Sequence, residues 1–456
     1  MTEFHFESLL LPEGWASRVS VSVDRAGFIA AVAPDSDPAP GAIRLGTGLP
    51  GMANLHSHSF QRAMAGLTER RGPGEDSFWS WRQLMYGFNA HLDPDHVEVI
   101  AAMVQLEMLE SGFTAIGEFH YLHHDADGSP YDDRAEMAAR ICAAAQRTGI
   151  ALTMLPVFYR WAGFGNTPAG EGQRRFLNDP DSYAALIEAT QRHLAALPHA
   201  ALGIAPHSLR AASMEDIAAI LPLAEGGPVH IHIAEQMKEV EDCRNATGTT
   251  PLRYLLDTQP VGENWCLVHA THMDESETAD LARSGAVAGL CPLTEANLGD
   301  GLFPATRYLA QQGRIGIGSD SHIRIDLPEE IRLLEYGARL TARQRNVLAP
   351  NGISTGRFLY GAALTGGAQA LGQPMGSIAA GRRADFVELA TGHPLFAGRT
   401  GDALLDSWLF SGDSRQVRTV HVGGRRVVEN GRALARDMVE TAWPRVMADI
   451  LERLAA

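Results

Sequence analysis

His56 and His58 flank a single serine in the run Leu49-Pro-Gly-Met-Ala-Asn-Leu-His-Ser-His-Ser59. On an extended segment, residues two apart point to the same side of the strand. Two neutral imidazoles on one face can hold a divalent metal such as zinc from one side. That spacing is a weak signal alone. Its weight comes from the rest of the chain, where apolar runs repeatedly end in ionisable residues. His207, with Arg210 just beyond it, stands at one such end; His230, His232 and Glu235 stand at the next, followed by His269 and later Asp320. Charges buried at the ends of apolar strands are costly unless they bind a metal or one another.

His56, His58, His232 and Asp320 make a set of three nitrogens and one carboxylate suited to zinc, with room for a water. Iron, manganese or nickel could take the same donors. His230 shares a strand face with His232 and is ambiguous; Glu235, three residues past His232, is the discriminating feature. Glu235 and His269 are the candidates for proton transfer. A metal brings the pKa of bound water to about 7, and a proton must then travel from that water to a leaving nitrogen. A carboxyl beside the metal can carry it, and a histidine on the next strand can assist or polarise the electrophile. The structural alternatives are a helix N-terminal carboxylate for Glu235 and a packed strand-end histidine for His269. His272 reads as a supporting residue.

The elements that must position these groups form a regular pattern. Apolar runs at 49–59, 113–120, 151–158, 201–208, 229–235, 265–271, 286–293 and 315–321 alternate with Ala- and Leu-rich stretches long enough for helices, such as 95–110, 133–147, 181–197 and 214–224. Eight strands that read as buried, each followed by a helix, predict an α/β fold of the (β/α)8 TIM-like barrel type. A doubly wound sheet is the rival, but no GxGxxG or GxxxxGK[ST] follows the early strands. A barrel gathers the C-terminal ends of its strands into one site, where the residues above would meet. Runs at 18–23, 28–32, 384–389, 417–422 and 425–428 alternate as small-sheet strands do. The expected organisation is a barrel over 50–381 and a small composite β-sandwich domain built from 1–49 and 382–456.

Composition narrows the classes. With 456 residues, 45% hydrophobic and 20% charged, the chain can bury a large core. A net charge of −16 with no basic run argues against nucleic acid as a partner. Cys142, Cys243, Cys266 and Cys291 form no CxxC pair and read as buried reduced thiols. The N-terminus lacks a signal-peptide pattern and no apolar run approaches about 18 residues, so no membrane span is expected and a cytoplasmic location is the default.

His56-Ser-His58, His232 followed by Glu235, His269 and Ser319-Asp320 resemble the amidohydrolase superfamily, in its deaminase branch with one metal. Gly381-Arg-Arg-Ala-Asp385 and Val420-His-Val-Gly-Gly424 are similar to the flanking β-domain of that superfamily. No lysine ends the fourth strand, where binuclear members carry a carboxylated lysine, so the resemblance implies one Zn2+. The separate zinc pattern of cytidine deaminases needs PCxxC, which Cys291-Pro292 does not supply. Phe60-Gln-Arg-Ala-Met64 through Ser77-Phe-Trp-Ser-Trp-Arg82-Gln-Leu-Met-Tyr86, Gly117-Glu-Phe-His-Tyr121-Leu-His-His124 and Ala205-Pro-His207-Ser-Leu-Arg210 are similar to formimidoylglutamate deiminases of histidine degradation.

That resemblance implies hydrolysis of N-formimino-L-glutamate to N-formyl-L-glutamate and ammonia by a homodimer. Asp320 would take the proton of the attacking water, His269 steady the tetrahedral centre and Glu235 protonate the departing nitrogen, with the last two roles exchangeable. The implied substrate is an amino-acid-derived dianion, and arginine matches carboxylates bidentately. Arg82 and Arg210 lie on the resembling loops, and Gln61, Tyr121 and His207 could add hydrogen bonds. Both arginines could instead be structural ion-pair residues, and Arg62, Arg70, Arg71 and Arg160 stay open. Trp79 and Trp81 read as packing or lid hydrophobes, and the loop after the first strand could close over substrate. Three alternatives remain: a guanine or related purine deaminase, a hydrolase that releases formamide, and a barrel that only binds a ligand.

Overall fold

The computed structural model describes residues 1–71 and 76–455. Its centre is a ring of parallel strands. Met52–Ser57, Phe113–His120, Ala151–Phe158, the broken pair Ala201–Leu202 and Ala205–Pro206, Val229–Ile233, Trp265–His269, Val287–Leu290 and Arg314–Ile317 follow in chain order. Single bridges close the ring: Ser57 to Asp320 on one side, Ile204 to Val229 and Ser208 to His232 on the other. Apart from Arg314, every residue of the first, second, third, fifth, sixth, seventh and eighth strands is buried. That is why these strands read as continuous apolar runs rather than alternating ones. The eight expected runs all coincide with barrel strands.

The helices between them begin and end where local chemistry dictates. Asp93 accepts the His96 amide and Pro94 opens the helix Pro94–Ser111, which stops at Gly112 with φ at 98°. Asp179 and Pro180 repeat the device on Pro180–Leu194. A side-chain acceptor takes an otherwise unpaired amide, proline needs none, and only glycine turns left-handed without strain. The floor of the barrel is formed by the end of the helix Thr355–Ala370. The Leu371 carbonyl accepts the Thr153 hydroxyl, and Gly366 and Gly367 pack so closely on Ile315 and Ala53 that a Cβ at either position would collide.

The chain termini meet in one eight-stranded sheet. Its order is Arg432–Ala433, Arg425–Glu429, Val417–Val422, Phe386–Leu389, Ile43–Pro50, Thr2–Leu11, Gly14–Val23 and Ile29–Ala33. Alternate residues face opposite sides. Phe4, Phe6, Leu9, Val19, Val21 and Phe386 build a separate small core, whereas Leu10, Leu49, Val387, Leu389 and Val420 belong to the barrel's own core. The architecture is the expected barrel plus terminal β-sheet domain. The segment after residue 382 carries more than strands. Helix Gly401–Ser411 packs on the barrel helices, and helix Arg436–Ala455 docks on Pro94–Ser111 through His96–Asp449 at 2.8 Å and Arg453–Asp93 at 3.0 Å.

Candidate active site

Four donor atoms converge at the C-terminal mouth of the barrel. His56 Nε2 lies 3.2 Å from His58 Nε2 and 3.0 Å from His232 Nε2. Asp320 Oδ1 lies 3.2 Å from His58 Nε2 and 3.6 Å from His56 Nε2. All four residues are buried. His58 donates its Nδ1–H to the Phe119 carbonyl and His232 donates its own to the His207 carbonyl, both at 2.9 Å. Each bond fixes a tautomer that leaves the Nε2 lone pair pointing inward. Burial, reinforced for His56 and His232 by the neighbouring imidazoles, holds all three rings below the usual histidine range and so neutral. Lone pairs this close repel unless a cation lies among them. A tetrahedral ion about 2.0–2.1 Å from each donor sets the donors about 3.3 Å apart, which is the spacing found. The residues fit a divalent metal.

Backbone geometry brings these groups to one point. Asp320 has φ at 47°, His269 at 69° and Ala234, between His232 and Glu235, at 49°. These are left-handed conformations in residues that have a Cβ, of the kind stored at functional sites. The eighth strand approaches the first so closely that a Cβ on Gly318 would meet the His56 backbone at 2.9 Å. Glu118 pins the His-Ser-His turn. It accepts Ser57 Oγ–H and Ser59 Oγ–H at 2.6 Å each and the Ser59 amide at 2.9 Å. Burial still pushes its carboxyl up to about 7.

Beside the donor cluster sit the two expected proton carriers. His269 Nε2 lies 3.7 Å from Glu235 Oε1 and 3.6 Å from Asp320 Oδ2. Burial raises the Glu235 carboxyl, opposed by His269 and Arg210. Burial would lower His269, but Glu235 and a hydrogen bond to Glu295 override it and raise the ring well above the usual range. A buried carboxyl with a raised affinity for a proton, 3.7 Å from a buried imidazole, is an arrangement able to move protons near neutral pH.

A narrow cleft leads from this centre outward. His58, Gln61, Arg82, Tyr121, His207, Arg210, His232, Glu235, His269 and Asp320 all line it. His56, the remaining candidate metal donor, stands behind the wall, fully buried. Gln61 donates its amide to Tyr121 Oη at 2.8 Å and leaves its Oε1 without a partner. Arg82, on helix Phe78–Asn89, stacks on Trp79 at 4.5 Å with its Nε unpaired. Arg210 is buried, its Nη2 4.0 Å from Glu235 and its Nε 3.8 Å from Glu239, beyond hydrogen-bond reach of either. Trp81 lines the cleft, together with Tyr86, Tyr159 and Phe176, aromatic walls that the sequence did not mark.

Other candidates lie elsewhere. His230 points deeper into the barrel and donates to the Ala370 carbonyl at 2.7 Å. His272 donates to the Asp300 carbonyl at 2.8 Å. Arg62 forms a two-point ion pair with Glu107, and Arg160 pairs with Asp216 at 2.6 Å. The four cysteines are buried and free. Glu295 and Asp300, both buried beyond the seventh strand, are the site neighbours that sequence reading missed. The carboxylate residue four positions past Cys291 was the available signal, since the other strands also carry their acids just past their ends.

The amidohydrolase family profile matches residues 47–427. Over 455 residues the chain is 53% identical to a formimidoylglutamate deiminase of Pseudomonas aeruginosa, covering 99% of this chain and 100% of that one. It is also similar to the crystal structure of an amidohydrolase from Brucella melitensis, with TM-score 0.95, 48% identity and coverage of 99% and 100%. An adenosine deaminase from Xanthomonas campestris, solved with bound zinc, shares the fold at TM-score 0.81 and 21% identity over 100% and 98% of the two chains. With a buried three-histidine, one-aspartate cluster at the mouth of a closed barrel, and a family match across most of its length, this chain belongs to the amidohydrolase family of hydrolytic enzymes.

Proposed function

We propose that the protein converts N-formimino-L-glutamate and water to N-formyl-L-glutamate and ammonia, using one zinc ion. The observation that carries this reading is a pair of guanidinium groups, Arg82 and Arg210, set along a cleft that ends on the donor cluster, each with an Nε atom that no group among the described residues satisfies. Two fixed cations suit a substrate with two carboxylates. The 53% identity to the Pseudomonas aeruginosa formimidoylglutamate deiminase supports the same substrate.

His56, His58, His232 and Asp320 would hold the metal, which when bound supplies Lewis acidity and activates water. The chain's own residues supply the remainder. Arg82 and Arg210 take the two carboxylates, with Gln61, Tyr121 and His207 completing the polar wall. Asp320 accepts a proton as water adds to the formimino carbon. His269, facing the same point through Nε2, steadies the charge of the tetrahedral centre. Glu235 delivers a proton to the nitrogen; the C–N bond breaks, the carbonyl forms and ammonia leaves. The aromatic wall excludes bulk water. A homodimer acting in the cytoplasm on this small molecule completes the proposal.

The test is product analysis of zinc-loaded protein given N-formimino-L-glutamate, following ammonia and formamide together. Ammonia with N-formyl-L-glutamate supports the reading. Formamide moves the cleavage to the other C–N bond. Ammonia from guanine but not from N-formimino-L-glutamate overturns the substrate and keeps the metal chemistry.

A further inference from the structure

The histidines of the site are held in two ways. His58 and His232 each give Nδ1–H to a backbone carbonyl. A neutral carbonyl fixes the tautomer and leaves Nε2 free as a donor toward a cation. His269 instead gives Nδ1–H to a carboxylate, Glu295 Oε1, at 3.2 Å. Its Nε2 has no hydrogen-bond partner and faces Glu235 and Asp320.

Glu295 is itself anchored. The same Oε1 accepts the Cys291 amide at 2.9 Å, so the carboxylate is tied back to the start of its own helix, Pro292–Leu298. That helix follows directly from the seventh barrel strand. Glu295 is buried and does not line the cleft. Substrate in the cleft therefore meets it only through the imidazole. The His269 backbone stands in a left-handed conformation at the end of its strand, and among the described residues the bond to Glu295 is the one hydrogen bond its ring makes.

We propose that Glu295 is a positioning residue, which holds the His269 ring so that Nε2 faces the reacting carbon and acts on the reaction through that ring. This rests on the hydrolytic reading above. It also explains why the seventh strand carries an acid although it sends no group into the cleft.

Two bonds converge on one oxygen, and this makes the inference testable. Glu295→Gln keeps an acceptor oxygen at the point of convergence, Glu295→Ala removes it, and Glu295→Asp keeps the charge but shortens the reach. Zinc-loaded proteins are compared for metal content, thermal midpoint, KM and kcat. We expect Glu295→Ala to keep its metal and its KM while kcat falls about 10- to 100-fold. Glu295→Gln is expected to recover kcat to within about fivefold of the parent, and Glu295→Asp to stay near the alanine variant. If Glu295→Ala does not fold, the Gln and Asp variants decide between them. The proposal is overturned if Glu295→Ala keeps its kcat, if KM moves in place of kcat, or if Asp restores activity where Gln does not.

A second readout is independent of the substrate. The His269 Nδ1 proton, assigned by its loss in His269→Gln, should be a slowly exchanging downfield resonance in the parent and in Glu295→Gln, and absent in Glu295→Ala. Its persistence in Glu295→Ala, or its absence from the parent, sinks the inference even if N-formimino-L-glutamate proves to be the wrong substrate.

Discussion

The inner and outer walls of the cleft are finished differently. On the inner wall the hydrogen bonds that aim the side chains are already made: His58 and His232 to carbonyls, Ser57 and Ser59 to Glu118, His269 to Glu295. On the outer wall they are not, for Gln61 Oε1, Arg82 Nε and Arg210 Nε are buried without partners. A buried polar atom left unpaired costs about 1–3 kcal/mol. On the outer wall the unpaired atoms are ones a ligand would relieve; on the inner wall His56 Nδ1 and His269 Nε2 also lack partners, but the bonds that aim the other reacting groups are made. Preorganisation serves chemistry and unmet donors serve recognition.

If that contrast is right, inner-wall variants should damage turnover and outer-wall variants should damage binding. Among substitutions the largest effect expected is from Glu235→Gln, which should keep its metal and lose about 100- to 10,000-fold in kcat, measured by ammonia release. Near-full turnover in this variant would remove Glu235 from proton transfer. Metal removal tests the donor cluster itself. Chelation should abolish activity and lower the thermal midpoint, and zinc restored at 100 times its Kd should return about 2.7 kcal/mol of stability. A midpoint indifferent to chelator would mean that the donor cluster does not hold the ion.

Smaller effects test the outer wall. Arg82→Met and Arg210→Met should each lower kcat/KM about 10- to 100-fold, a charged hydrogen bond being worth about 1.5–3 kcal/mol, with the change mainly in KM. A fall in kcat at constant KM would place that arginine with the inner wall instead. The smallest effect concerns Glu118. Its carboxyl in the fold, at about 7, lies above its ordinary 4.5. The folded state therefore keeps a proton that the unfolded chain gives up between those values. This group's contribution to stability is full below about pH 4.5 and is lost as pH rises through about 7. In metal-free protein, Glu118→Gln should flatten the fall of the thermal midpoint between pH 5 and 8. An unchanged slope would show that Glu118 is not the titrating group.

Features with a local cause could be read from the sequence alone. Fully buried parallel strands must be apolar along their whole length, so all eight runs were visible, whereas the Asp-Pro caps that set the helix starts were recognised only in the structure. His56 and His58 share a face because strand periodicity is two. Which histidine of the fifth strand joins them was decided by depth. His230 and His232 share a face, but one meets the Ala370 carbonyl 140 residues away and the other meets His56. The arginines were sorted in the same way, since Glu107 and Asp216 occupy Arg62 and Arg160 while Arg82 and Arg210 keep unpaired atoms. Glu295 was passed over because its partner, His269, lies on another strand. The left-handed turns at His269 and Asp320 are held by packing that no local pattern encodes. Periodicity and end caps act over a few neighbouring residues and are therefore written in the sequence; partner choice depends on which distant groups share a small volume, and only the closed barrel determines that.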